Sequence, residues 1–277
     1  MLYSGAAEQL SQFAARHGIP VVETIAGRGT LLHEHAMNAG PLGVIGSSSA
    51  NALAAEADVV LAIGTRLQDF TTGSWTVFDS PEFRLISLNA ARFDAVKHRA
   101  HSVVSDAREG ISELELGLQD YRAPQAWQDQ ARRLYAVWNE TVARATKPAA
   151  VATYAQVVGA VNRSATPSDR VLTASGGFPG ELVKNWKVKA VGSFDCEFGY
   201  SCMGYEIAGG WGAKMAKPDG EVYVLVGDGA YLMMNSDIYS SVLTGHKLIV
   251  VLCDNSGYAV INRLQNFKGG ASFNNLL

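Results

Sequence analysis

Glu221-Val-Tyr-Val-Leu-Val-Gly-Asp-Gly229 stays apolar for the length of one strand and then stops on an acidic turn. Glu221 to Val226 is apolar enough to be buried on both faces, as the strands of parallel sheets are. A second run of this kind, Lys247 to Cys253, ends on Asp254-Asn-Ser-Gly-Tyr258, and a helix-like segment, Met234 to Thr244, separates the two. Strand, helix, strand in that order predicts a right-handed crossover in a parallel sheet, so both strands end on one edge. Open α/β sheets bind their ligands along that edge. Asp228 and Asn255 are therefore expected to converge there as two oxygen ligands, with backbone N–H groups beside them. A hard divalent cation carrying a diphosphate needs such a set: a few protein oxygens, with phosphate oxygens completing the octahedron. On these residues alone the plainer reading, two strand-ending turns, stays open.

Gly227-Asp228-Gly229 followed by an Asn at the next strand end resembles the signature of thiamine-diphosphate enzymes. The resemblance implies that Asp228, the Asn255 side chain and the Gly257 carbonyl hold Mg²⁺. It implies too that the backbone N–H groups of Gly229 and Ala230 face the diphosphate. The family usually reads Asn-Asn where this chain has Asp254-Asn255, so the liganding second position is kept and Asp254 stands beside it. Earlier in the chain, Glu197-Phe-Gly-Tyr-Ser-Cys-Met-Gly-Tyr-Glu-Ile-Ala-Gly-Gly210 is similar to the decarboxylase and acetolactate-synthase branch. Met203 falls where that branch wedges an apolar side chain between the two cofactor rings. The Ser201 carbonyl and the Met203 amide fall where it hydrogen-bonds the pyrimidine edge. A core methionine at a helix start is the alternative for Met203. Ser175 and Gly176 fall where relatives approach the diphosphate, on a looser match. Glu206, near Met203, reads best as a helix-start carboxylate favoured by the dipole, and Tyr258 as an aromatic over the cofactor or one that anchors the turn.

The fold class expected is α/β, two three-layer αβα domains with parallel sheets. A chain of 277 residues is long enough for two such domains. Residues 1–122 read as a central domain, 123–148 as a linker with a helix, and 149–277 as the diphosphate- and Mg²⁺-binding domain. In the first, Ser4 caps a helix over Ala6 to His17, and strands follow at Ile19–Glu23, Val59–Ile63, Phe83–Leu88 and Ser102–Val104. Ser47 to Ser49 caps a helix over Ala50 to Ala57, and a closing helix covers Ala107 to Leu118. Helices are expected at Trp127–Ala145 and Tyr154–Asn162, and a strand at Arg170–Thr173. The Gly27-Arg-Gly29, Glu34, Gly43, Gly64-Thr-Arg66, Asp69 and Thr72-Gly73 pattern is similar to the family's central domain, which binds FAD or a nucleotide in some members and serves structure in many. His33-Glu34-His35 is expected to be a solvated loop and not a metal site, because alternate residues on a helix diverge by about 200°.

A net charge of −3 with no basic stripe argues against nucleic acid, and the absence of a run of about eighteen apolar residues against a membrane helix. Three cysteines without a CxxC pair suit a reducing cytoplasm. Ala174-Ser-Gly-Gly-Phe-Pro-Gly-Glu-Leu182, the Tyr200 to Glu206 run and Asp254 to Gln265 are similar to the branch of the family that opens a cyclic 1,2-diketone of inositol catabolism with water. The resemblance thus implies a C–C bond hydrolase using thiamine diphosphate and Mg²⁺ on a small cyclic diketone, in a homo-oligomer. Carboligation or decarboxylation of the acetolactate-synthase kind is the alternative, as is a cofactor-binding protein without catalysis. The family's pyrimidine-binding domain, which carries the glutamate that activates the cofactor, has no counterpart in this sequence, and the diphosphate domain looks clipped after Leu277. The chain alone is expected to be inactive.

Overall fold

The computed structural model describes residues 1–276, which divide into two compact units, 1–144 and the residues from 145 on. Every strand pair in both is parallel.

In the first unit the order is α1 (Ala7–His17), β1 (Val21–Glu23), β2 (Asn38–Pro41), α2 (Ser48–Glu56), β3 (Val59–Ile63), α3 (Asp69–Thr72), β4 (Arg84–Asn89), α4 (Arg92–Ala95), β5 (His101–Val104), α5 (Ala107–Leu118) and α6 (Gln125–Ala145). β1 pairs with β2, and β3, β4 and β5 form a second sheet in sequence order. Side chains alternate across a strand, and two clusters result. Leu61, Ile63 and Leu88 pack with Leu10 and Phe13 of α1 and Ile111 of α5. Val60, Ala62 and Leu85 pack with Leu67, Trp75 and Phe83. α2 and α6 bury Leu53 and Ala131 against Ala39 of β2.

Glu23, at the end of β1, is buried with Arg28, with which it forms an ion pair. Its Oε1 also accepts the backbone N–H groups of Gly29, Thr30 and Leu31 at 3.1, 3.0 and 3.0 Å. The carboxylate thus shapes the loop that carries His33, Glu34 and His35. These three lie in irregular structure, His33 hydrogen-bonded to Tyr135 of α6 and the His35 ring accepting from the Met37 N–H.

The second unit runs α7 (Tyr154–Ser164), β6 (Arg170–Thr173), α8 (Gly177–Asn185), β7 (Phe194–Cys196), α9 (Tyr205–Ala216), β8 (Val222–Gly227), α10 (Asp228–Met233), α11 (Asp237–Leu243), β9 (Ile249–Cys253) and α12 (Ala259–Phe267). Its sheet has the order β7-β6-β8-β9. Leu172, Val222, Val224 and Val250 face Ile207 of α9 and Ile238 of α11. Val171 and Leu225, equally buried, alternate onto the other face; α8 packs on β8 and on α7. From β6 the chain winds one way to β7, and from β8 the other way to β9. The carboxyl ends of β6 and β8, where the direction reverses, form the topological switch point at which such sheets take ligands.

Two expectations about elements need correction. Ser4 does not cap α1, whose start has no side-chain cap; its hydroxyl donates to Asp106 instead. The helix read over Met234 to Thr244 is shorter, α11 over Asp237–Leu243, and a separate helix, α10, precedes it over Asp228–Met233. Met234 leaves the helical region (φ −143°), and Asn235 and Ser236, which favour turns over helix interiors, follow it.

Candidate functional site

Four loops leave the carboxyl edge of the second sheet: 174–176 after β6, 197–204 after β7, the β8–α10 junction at Gly227–Asp228, and 254–258 after β9. Each of the sequence-derived site residues lies on one of these or in the first turn that follows.

Asp228 is the first residue of α10 and is buried. Its Oδ2 accepts the backbone N–H of Gly257 at 2.7 Å, which ties the end of β8 to the loop after β9. Its Oδ1 makes no hydrogen bond among the described residues. Gly257 has φ +141°, a conformation that side chains rarely adopt, and a Cβ there would collide with the Asn275 carbonyl. Asn275 also accepts the Tyr258 N–H at 2.7 Å, so the turn is held from both sides. Gly229 and Ala230 form the buried first turn of α10. The Tyr258 ring packs on Gly229, where a Cβ would come within 2.6 Å.

Asn255 is exposed, and its side chain does not meet Asp228; its Nδ2 donates to the hydroxyl of Tyr154, the first residue of α7. That leaves the amide oxygen of Asn255 without a described partner. Asp254 accepts the Ser256 N–H at 2.8 Å and serves the turn. Ser175 and Gly176 precede α8, whose start has no side-chain cap. Among the described residues no group of three or more His, Cys, Asp and Glu side chains could hold a metal. A cation site on this edge therefore has to be built from a carboxylate, an amide oxygen and a main-chain carbonyl, the donor set of a hard ion.

Ser201 and Met203 lie on the loop after β7. Ser201 is left-handed (φ +55°) and Met203 is half-buried just before α9. Three features of this loop were not anticipated from the sequence. Glu197 accepts the Tyr200 N–H on Oε1 at 3.0 Å and the Cys202 N–H on Oε2 at 2.7 Å. Burial works to raise its pKa, but the backbone N–H groups of Cys202, Tyr200 and Gly199 outweigh that and hold it below the usual carboxylate value. Glu206 occupies the first turn of α9, yet it is fully buried, which a surface carboxylate favoured by the dipole would not be. Its Oε2 accepts the Gly204 N–H at 2.8 Å, and its buried Oε1 has no partner. Burial first, and Glu197 with it, push the Glu206 carboxyl above the ordinary range. Beside them, burial and the Asp195, Glu197 and Glu206 charges push the Cys196 thiol far up.

Residues 1–114 match the family model "Thiamine pyrophosphate enzyme, central domain", and residues 174–276 match "Thiamine pyrophosphate enzyme, C-terminal TPP binding domain". The chain belongs to the thiamine pyrophosphate enzymes. Within that class it is 38 % identical, over 98 % of its length, to a 3D-(3,5/4)-trihydroxycyclohexane-1,2-dione hydrolase of Geobacillus thermodenitrificans. It is 37 % identical to a protein of the same name from Bacillus thuringiensis and 35 % identical to one from Clostridium perfringens, over 98 % and 96 % of its length. The chain spans 46 % of the length of each of these relatives. No helix among the described residues is long and apolar enough to cross a membrane.

Proposed function

We propose that this chain carries the diphosphate-anchoring part of a thiamine-diphosphate-dependent hydrolase that cleaves a C–C bond of a trihydroxycyclohexane-1,2-dione. The observation that carries the reading is the Asp228–Gly257 hydrogen bond at 2.7 Å, which joins two strand ends beside the switch point and leaves one carboxylate oxygen over. The residues suit Mg²⁺: Asp228 Oδ1, the amide oxygen of Asn255 and the Gly257 carbonyl are all hard oxygen donors, and Tyr154 holds the amide nitrogen of Asn255 away from that duty. The amides of Gly229 and Ala230, with Ser175 and Gly176 across the switch point, receive the diphosphate in this reading. Met203 sets the bend of the cofactor, and the Ser201 carbonyl and Met203 amide meet the pyrimidine edge. When bound, thiamine diphosphate supplies a carbanion nucleophile and an electron sink for C–C cleavage. Residues 149–277 hold the anchor, and residues 1–122 are the central domain of the same enzyme.

Two further parts of the reading concern the whole protein. Exposed apolar side chains on α11 and α12 favour self-association. The three unpaired cysteines suit a reducing cytoplasm.

Calorimetric titration of thiamine diphosphate into the purified chain tests the anchor. Binding is expected with Mg²⁺, and it should be lost in EDTA and in Asp228→Ala. Binding that survived both would overturn the assignment.

A further inference from the structure

The loop between β7 and α9 is held at its backbone from both ends by carboxylates. Glu197, directly after β7, takes the N–H groups of Tyr200 and Cys202, and Glu206, in the first turn of α9, takes that of Gly204. Gly204 is itself left-handed (φ +97°) and lies so close to Met234 that a Cβ would come within 2.5 Å of its Cγ. Tyr205 closes the far side, its hydroxyl donating to Asp195 on β7. Between these fixed points are Ser201, in a left-handed conformation that a serine adopts only under constraint, and Met203. The Met203 amide is not among the donors the carboxylates consume.

Glu206 is an expensive way to satisfy one N–H. The side chain is wholly buried and one carboxyl oxygen is left without a partner. A purely structural acceptor in this place would be better made by a small hydroxyl or by water. The cost is accounted for if the group does something for the segment beside it.

We propose that Glu197 and Glu206 are a pair of positioning residues, a carboxylate clamp that fixes the 201–203 backbone in the conformation that presents the Ser201 carbonyl and Met203 amide to the pyrimidine edge of the cofactor. The proposal rests on the reading of Ser201 and Met203 as pyrimidine contacts. The raised pKa of Glu206, caused first by burial and then by the Glu197 charge, supports it, because it marks the two carboxyls as close enough to act on one segment.

The clamp makes a prediction that a merely structural role does not, since the ligand can be divided into its two halves. The chain is titrated with Mg²⁺ and either thiamine diphosphate or inorganic pyrophosphate, which has no pyrimidine. Glu197→Ala and Glu206→Ala are expected to weaken thiamine diphosphate by roughly tenfold or more, the loss of a buried backbone acceptor, while pyrophosphate binds them as it binds the unmodified chain. Glu206→Gln keeps an acceptor oxygen and should recover most of the lost affinity. Equal weakening of both ligands would mean that the domain is damaged as a whole and would overturn the proposal, as would unchanged binding of thiamine diphosphate. Amide hydrogen exchange gives a reading that needs no ligand: the amides of Tyr200, Cys202 and Gly204 should exchange faster in the alanine variants, and unchanged exchange would overturn the clamp. Failure of the unmodified chain to bind either ligand would sink the anchor at Asp228 instead, and the exchange experiment would then decide the clamp by itself.

Discussion

Glu206 shows how a residue's chemistry is set by its surroundings. Its carboxyl is held above the ordinary range, chiefly by burial. The folded state therefore binds its proton more tightly than the unfolded chain does. That contribution to stability is complete below the ordinary glutamate pKa and is lost as the pH rises through the elevated one. Glu206→Gln removes the proton equilibrium, so the variant should gain stability relative to the parent as the pH rises through that window. Urea midpoints of the two proteins across the acid-to-neutral range check this, and parallel curves would contradict it. From the sequence Glu206 was legible only as an acid near a helix start, because the packing of α9 against β6, β8 and α11 is not a local pattern. The Asn255–Tyr154 bond was not legible for the same reason, joining positions 101 residues apart. That Asp228, Asn255 and Gly257 lie on one sheet edge was legible, because a turn at a strand end is a local pattern and parallel strands carry such turns to one edge.

At the scale of elements, local signals located what local physics decides. β3, α5 and β6 occupy the spans expected of them, 59–63, 107–118 and 170–173. α5 starts where Asp106 accepts the Arg108 N–H, a cap written in the sequence. α10 was missed, and α11 was begun too early at Met234, because Met234 and its neighbours carry no proline or glycine to mark where one helix ends and the next starts. The loop between β1 and β2 was read as irregular, but its organiser was not seen: Glu23, the last residue of β1, which gathers three N–H groups and the Arg28 guanidinium. Glu23→Ala would leave Arg28 charged and buried, and a loss of about 3–5 kcal/mol is expected. Chemical denaturation measures it. A loss below about 1 kcal/mol would mean that water takes over the carboxylate's role.

For the whole molecule, the α/β class with parallel sheets followed from the apolar strands alternating with helical segments. The division of exposed surface did not. Tyr239, Val242 and Leu243 on α11 and Phe267 on α12 are between 70 % and 85 % exposed, far more apolar surface than isolated side chains need explain. Sedimentation should therefore depend on concentration over the micromolar range, and Leu243→Glu with Phe267→Glu should shift the chain towards the monomer. Sedimentation as a single monomeric species at every concentration would remove the apolar faces as an association surface. The parallel pairing has a different consequence, in time. No strand pair among the described residues is joined by a hairpin; each waits for a crossover of about ten residues or more to be made and folded. Folding of such sheets is slow, and their unfinished edges are sticky. Yet every pairing of the first unit is complete by β5, and every pairing of the second begins at β6. On the ribosome the first unit can close its sheets before the second has been synthesised, so the chain's slow step is divided in two and the sticky intermediates of the halves need not coexist.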